Sequence, residues 1–441
     1  MMIEISPSAS VSVFRPAIST TNHRIAGQLV RFATSFCVFV LLFLTAQTGC
    51  DSPRVVNEEF EQTRADETWR AGRIVLGSPS LTAGISGEAK VRIEDIAAWL
   101  DDPRNHQPLD FALPLGLHEA VDDVHVPEDN PLSRAKIELG RQLFFDDRLP
   151  KYANFTCADC HHPQQSFSRA MVTREDRNSQ MILNRILSVE QFWDGKSPSL
   201  EAQVEVPISH IEEMGTSPED CVRRIGEIAG YRLQFERIFG EVSFANLSKA
   251  LASFERALVT TPAPYDYHVV LERFDGRDPA TLDAAEQQLF EQAQAGVAAD
   301  PMSEDALKGR DLFFSDRTDC AACHWGPNFT DEEYHNVGVG MNDDEPDLGR
   351  FKITGKEEDR GAFKTPTLRN LEYTSPYMHD GRFHNARTVV TYFVDGCHPN
   401  DHLDPMITRL DLTETEIRQL VAFLASLSSP LPQVRTDGLP E

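Results

Sequence analysis

Apolar residues recur at helical spacing along much of the chain. Between positions 247 and 259, Leu247, Leu251, Phe254 and Leu258 fall on one face at intervals of three or four, the period of an amphipathic helix. Near the C-terminus Thr413 and Glu416 form a capping box, and Ile417, Leu420, Val421, Leu424 and Leu427 make a second stripe behind it. Both stripes read as plain core-facing helix. Alternation with period two is scarce, so β-structure is expected to be minor. Residues 260–301 hold Pro262, Pro264 and Pro279, then a stretch rich in Ala and Gln, which predicts a connection between domains.

An internal repeat sets the architecture. Gly140-Arg141-Gln142-Leu143-Phe144-Phe145-Asp146-Asp147-Arg148 matches Gly309-Arg310-Asp311-Leu312-Phe313-Phe314-Ser315-Asp316-Arg317 at seven of nine positions. A Cys-x-x-Cys-His sequence follows each copy: Cys157-Ala158-Asp159-Cys160-His161 nine residues after Arg148, and Cys320-Ala321-Ala322-Cys323-His324 three after Arg317. One unit of helix, loop and motif therefore occurs twice. The expected fold is mainly α, with two cytochrome-c-like domains related by the repeat and little β. The expected boundaries are 1–50 for an export signal, 51–115 for an extension without an assigned role, 116–300 for the first domain with its connection, 301–430 for the second domain, and 431–441 for a tail.

Cysteines three apart lie on one side of a helical turn, where both thiols reach the vinyl groups along one porphyrin edge. The histidine that follows gives its imidazole to the iron. Zinc is the competing reading, but one such motif offers three ligands and structural zinc wants four. Two covalent haem c groups are therefore expected, with His161 and His324 as proximal ligands and His162 at the surface. No histidine lies between His162 and His210. That segment holds Met171 and Met181, and Met181 sits in an apolar run that reads as core. The first iron is thus expected to have an open or water-filled face. Such a face becomes peroxidatic only beside a proton shuttle, because peroxide must lose a proton to bind and its departing oxygen must gain one.

Composition narrows the setting. The 441 residues allow two or three domains, and 41% hydrophobic with 25% charged residues is ordinary for a globular protein. A formal net charge of -27 argues against nucleic acid. It would suit a basic partner, although solvation alone accounts for many acidic surfaces. Arg15, Arg24 and Arg31 precede an apolar run from Phe32 to Leu44, and small residues lead to Gly49-Cys50. This predicts an export signal, too short for a comfortable membrane span. Gly49-Cys50 reads as a bacterial lipoprotein processing site with a lipid anchor at Cys50, the alternative being an uncleaved anchor. Both place residues 51 onward in the periplasm or at the extracytoplasmic face of a bacterial membrane. Of eight cysteines, four sit in the motifs and Cys37 in the signal; whether Cys221 and Cys397 pair is open.

Longer segments resemble a known family. Arg177-Asn178, Gln191-Phe192-Trp193-Asp194-Gly195, Ser199-Leu200-Glu201-Ala202-Gln203, Pro207-Ile208 and Glu213-Met214-Gly215 are similar to the bacterial di-haem cytochrome c peroxidase and MauG family. So are Lys364-Thr365-Pro366-Thr367-Leu368-Arg369-Asn370 and Thr374-Ser375-Pro376-Tyr377-Met378-His379-Asp380-Gly381. The resemblance runs from about Pro114 to Leu427. It implies that Gln203 and Glu213 are the distal amide and the catalytic acid/base, that Pro207 is a distal-pocket proline, and that Trp193 relays electrons between the haems. It also implies a calcium ion bound by Asn178 with the backbone oxygens of Thr374 and Pro376. Two positions depart from the family pattern. A histidine that blocks the first haem in reductively activated members would fall near Arg177, and this sequence has none there, which resembles the MauG branch, whose peroxidatic haem is always open. The sixth ligand of the second iron, nineteen residues after Thr374, falls on Phe393, which cannot ligate; Tyr392, Met378 and Met406 are the candidates.

The implied activity is reduction of hydrogen peroxide to water with electrons from a small cytochrome c or copper protein. The alternatives are a MauG-like oxidase that modifies side chains of a partner protein, and a non-catalytic electron-transfer cytochrome with both irons six-coordinate. A homodimer is left open.

Overall fold

The computed structural model describes residues 73–87, 90–150, 155–172 and 177–441, with the backbone alone for 170–172. The export segment with Cys37 and Cys50, residues 51–72 and the Met171 side chain lie outside the described residues. Ten helices of eight or more residues occur among the described ones: α1 (Ile93–Leu100), α2 (Arg134–Phe144), α3 (Pro218–Glu227), α4 (Ala229–Phe239), α5 (Phe244–Ala257), α6 (Pro264–Glu272), α7 (Ala284–Ala299), α8 (Glu304–Phe313), α9 (Ala386–Val394) and α10 (Glu414–Ala425). The strands β1 (Ile74–Val75), β2 (Lys90–Val91), β3 (Phe111–Ala112), β4 (Arg169–Val172), β5 (Asn178–Ser179), β6 (Tyr334–His335), β7 (Phe363–Lys364) and β8 (Leu439–Pro440) form two-stranded pairs: β1 with β3, β2 with β8, β4 with β5, and β6 with β7. The mainly α expectation therefore holds. No described helix is long and apolar enough to cross a membrane.

The repeat appears as two matching helix crossings. In the first unit α2 packs on α5; in the second α8 packs on α10. Each crossing is centred on the repeated glycine. A β-carbon at Gly140 would overlap the Ala250 carbonyl, and one at Gly309 would overlap the Gln419 carbonyl. Only glycine lets the backbones approach so closely. The predicted stripes are the partner faces. Leu247, Leu251, Phe254 and Leu258 are buried on and just beyond α5, as are Ile417, Leu420, Leu424 and Leu427 on and beyond α10. The capping box is present: Glu416 accepts from the Thr413 N–H at 2.8 Å, and Thr413 Oγ1 accepts from the Glu416 N–H at 3.2 Å. An aromatic trio fills each crossing. Phe144 lies 5.2 Å from Phe254 and 6.2 Å from Phe167, while Phe313 lies 5.0 Å from Phe423 and 6.1 Å from Phe329.

Residues 260–301 hold a helical pair, α6 against α7. Asp266 explains its position. It caps α6 through the Ala263 N–H at 2.8 Å, and it receives both terminal nitrogens of Arg369 at 2.8 and 2.9 Å. Both side chains are almost wholly buried. Residues 431–441 do not hang free. β8 pairs with β2 of the extension, and Arg141 Nη1 donates to the carbonyls of Arg435 and Asp437 at 2.7 Å each. The last segment thus ties the extension to the first crossing.

Candidate functional site

Each Cys-x-x-Cys-His motif forms a single turn at the wall of a cavity. The His161 N–H donates to the Cys157 carbonyl at 2.9 Å, and the His324 N–H to the Cys320 carbonyl at 3.1 Å. This turn brings two thiols and one imidazole to a common edge. The imidazoles are oriented by matching contacts: His161 Nδ1 to the Phe167 carbonyl at 3.2 Å, and His324 Nδ1 to the Phe329 carbonyl at 3.0 Å. A carbonyl only accepts, so Nδ1 carries the hydrogen and Nε2 keeps its lone pair for a metal. Burial pushes His161 down to about 4 and lowers His324 as well, which keeps both rings in the neutral, ligating form. Phe167 and Phe329 both have φ of +52°, a backbone state that bulky residues rarely adopt. Each is locked there by its aromatic trio. Sequence reading passed over these two anchors. They lie six and five residues beyond their histidines, so no shared register marks them.

The first cavity, of about 200 Å³, is lined by Cys157, Cys160 and His161 on one side and by Gln203, Pro207, His210 and Glu213 on another. Gln203 ends a short helix, Leu200–Gln203, capped by Ser199 Oγ, which accepts from the Ala202 N–H at 3.1 Å. Glu201 of that helix accepts from Arg256 of α5 at 2.5 and 2.9 Å and from Asn130 at 2.8 Å, so the helix cannot roll. Glu213 arrives on a loop closed on itself. Met214 N–H donates to the Pro207 carbonyl, Gly215 N–H to His210 and Thr216 N–H to Ile208, at 3.2, 2.8 and 3.0 Å. Gly215 has φ of +59°, which turns the chain so that Glu213 faces back into the cavity.

Arg177 lines the same cavity. It is buried and paired with Asp194 and Asp347 at 2.7 Å each. Asp347 belongs to the second unit, and the paired cations hold its carboxyl well below the usual range. Arg177 is therefore committed to a charge cluster between the units. His162 is exposed, as its place in the motif predicts. Met181 is not plain core: it borders both cavities, and its sulfur accepts from Ser166 Oγ at 3.3 Å.

The second cavity, of about 300 Å³, is lined by Cys320, Cys323, His324, Met378, Phe393 and Met406 among mostly apolar side chains. Tyr392 does not line it. Its hydroxyl donates to the Val337 carbonyl at 2.9 Å and accepts from the His398 N–H at 3.1 Å. Phe393 lines the cavity, while these two contacts hold the Tyr392 hydroxyl on the Val337 and His398 backbone. Of the three candidate sixth ligands, Met378 and Met406 line the cavity and Tyr392 stands beside it. Cys323, Asp331 and His335 cluster closely enough to hold a metal, but Cys323 belongs to the haem motif and His335 is engaged by Asp331 and Asp404 at 3.0 and 2.7 Å.

A model of the di-haem cytochrome c peroxidase family matches residues 134–273. The methylamine utilization protein MauG of Methylophilus methylotrophus is 31% identical over 333 residues, spanning 73% of this chain and 90% of its own length. This chain belongs to the di-haem cytochrome c peroxidase and MauG family. Cytochrome c551 peroxidase of Nitrosomonas europaea is 29% identical, with 69% of this chain and 83% of the relative covered. Among solved structures, a MauG-like protein associated with microbial copper homeostasis matches with a TM-score of 0.58 at 26% identity, covering 69% of this chain and 93% of the other.

Family membership implies haem c as cofactor, and the donor sets fit it. Each cavity presents two thiols at one edge, an imidazole whose Nε2 lone pair is available, and an apolar lining. The two cavities share a wall. Asn178, Ser179, Gln180, Met181, Arg185 and Trp193 border both. Trp193 is fixed by its Nε1–H on the Asn178 carbonyl at 2.8 Å and by its own carbonyl on the Lys364 N–H of β7, also 2.8 Å. Asn178 and Pro376 meet, Asn178 Nδ2 donating to the Pro376 carbonyl at 2.5 Å. Asn178 Oδ1 is buried without a hydrogen-bond partner, which leaves an oxygen donor for a hard cation beside the Pro376 carbonyl. Cys221 and Cys397 are both free and buried; they do not pair.

Proposed function

We propose that this family member is a peroxidase that reduces hydrogen peroxide to water with electrons from a small redox protein. The observation that carries the reading is the convergence of Gln203, Pro207 and Glu213 on the cavity that holds Cys157, Cys160 and His161. Cys157 and Cys160 would anchor the first haem and His161 its iron; Cys320, Cys323 and His324 would do the same for the second. The bound haems supply the redox chemistry. The protein's own contribution is proton handling and orientation. Glu213 accepts the proton that peroxide must lose and returns one to the departing oxygen, and the Gln203 amide orients the peroxide. Trp193, in the common wall, supports electron passage between the two sites. Met378 and Met406 offer thioethers at the second cavity. Asn178, with the Pro376 and Thr374 carbonyls, would hold calcium.

The test is Glu213→Gln in the holoprotein. Both haems should remain attached, with steady-state peroxide turnover falling by about 100-fold or more. Unchanged turnover removes Glu213 from the chemistry. A MauG-like oxidase acting on a partner protein is the second reading. It is favoured by Arg177, committed to Asp194 and Asp347 where a blocking histidine would stand. Peroxide added to the fully oxidised protein separates the two. An immediate optical change without reductant supports the constitutively open site that the oxidase reading needs. A response only after partial reduction supports a gated peroxidase.

A further inference from the structure

The loop that presents Glu213 also brings an imidazole into the first cavity. His210 Nδ1 lies 3.7 Å from Glu213 Oε1, just beyond hydrogen-bond length, and is buried without a hydrogen-bond partner. A buried polar atom left unpaired is destabilising. The backbone that carries the ring is nevertheless held in place. The His210 carbonyl accepts from the N–H groups of Glu213 at 3.1 Å and Gly215 at 2.8 Å, so one tight turn carries imidazole and carboxylate side by side. The two side chains are 11% and 21% exposed, and Ile211 and Glu212 between them are exposed. This is where the cavity meets solvent.

We propose that His210 is the proton relay between solvent and Glu213, a role that rests on the peroxidase reading of this site. Converting one hydrogen peroxide to two waters consumes two electrons and two protons. The electrons come from the redox-protein donor; the protons must come from solvent. A proton enters at His210 Nε2 while the Nδ1 proton passes to Glu213 Oε1. The imidazole ends neutral with its hydrogen on the other nitrogen, and a ring turn resets it. Glu213, now a carboxylic acid, gives its proton to the oxygen that leaves as water. The 3.7 Å gap closes to a hydrogen bond with a small side-chain shift, as catalytic contacts commonly do when substrate arrives.

Cyanide binding tests the relay without electron transfer, because hydrogen cyanide must lose its proton to bind iron as the anion. Holoprotein carrying His210→Gln, His210→Ala or Glu213→Gln is mixed with cyanide at neutral pH and followed optically, beside steady-state peroxide turnover and the ferric spin-resonance spectrum. The relay predicts cyanide association and kcat slowed by on the order of tenfold or more in both His210 variants, with the KM for the electron donor and the ferric spectrum unchanged. Slowing by Glu213→Gln but not by the His210 variants overturns the relay and leaves the peroxidase reading standing. No slowing in any of the three overturns both. A shift of the ferric spectrum toward high spin in His210→Gln identifies His210 as an iron ligand and overturns the relay.

Discussion

Arg369→Met isolates the contact on which the two units and their connection converge. Arg369 is fully buried, and its guanidinium meets Asp266 of α6 through two hydrogen bonds of 2.8 and 2.9 Å. It also donates to the carbonyls of Pro327 at 2.6 Å and Gly116 at 3.1 Å. Methionine replaces the aliphatic stem but not the charge. Asp266 would then be a carboxylate with 2% of its side chain exposed, keeping its cap on the Ala263 N–H. Stranding one partner of a buried ion pair is destabilising by about 3–5 kcal/mol. The two orphaned carbonyls put the expectation in the upper half of that range. Asp266→Asn alone should also be destabilising, because it strands the guanidinium. The double variant removes both charges, so it should lose much less than the sum, by roughly 2 kcal/mol or more of coupling. Guanidinium unfolding of the holoprotein, followed by far-ultraviolet dichroism, reads the changes from the midpoints at constant m. A loss below about 1 kcal/mol for Arg369→Met, or strict additivity in the double variant, refutes the assignment of a buried charged pair.

Gly309→Ala should be destabilising by about 1–3 kcal/mol or more, because the new β-carbon meets the Gln419 backbone carbonyl; an unchanged melting temperature would show that the crossing can open without strain. Glu255 lines the first cavity, and burial pushes it up from 4.5 to about 7. The folded state therefore keeps its proton where the unfolded state loses it, and stability falls as pH rises from about 4.5 to 7, by about 3 kcal/mol in total. Glu255→Gln should flatten that decline in unfolding free energies measured at pH 5 and 7.5, and identical slopes in both proteins would contradict it. Chelation with EDTA should lower the melting temperature of the wild type but not of Asn178→Ala, whose Oδ1 donor is gone; equal responses would count against a cation at Asn178.

Features with a local cause were legible in the sequence. The stripes on α5 and α10, the Thr413 capping box and the twin haem motifs follow from spacing alone, and the repeated glycines mark where the helices cross. The motif from Lys364 to Asn370 was visible as a resemblance, but its work was not. Lys364 pairs with Glu332 at 2.8 Å, Arg369 with Asp266, and the Asn370 side chain accepts from the Ser429 N–H at 2.8 Å. These partners lie far away along the chain, and composition cannot reveal them. The surroundings of the second iron were harder to read. Tyr392 and Phe393 are neighbours on α9, yet Phe393 lines the cavity and Tyr392 does not, a difference that spacing does not reveal. His210 bounded a stretch free of histidine and was otherwise passed over. Only the turn through Glu213 and Gly215 brings it back to the carboxylate.

The common wall gives the two cavities a physical reason to act together. Its fixed point is Asn178. The Asn178 N–H donates to the His379 carbonyl at 2.5 Å, its side chain to the Pro376 carbonyl, and its own carbonyl accepts the Trp193 indole N–H. One residue therefore joins the first unit to the segment from Thr374 to Gly381 and sets the tilt of the tryptophan between the cavities. Arg177, its neighbour in sequence, adds a second tie through Asp347. A rotation of the units about this point would move Trp193 with respect to both imidazoles at once. The orientation of Trp193 between the cavities is thus coupled mechanically to the fit of the two units. That coupling explains why charged and oxygen-donor groups gather at this boundary, where plain apolar packing would serve cohesion alone.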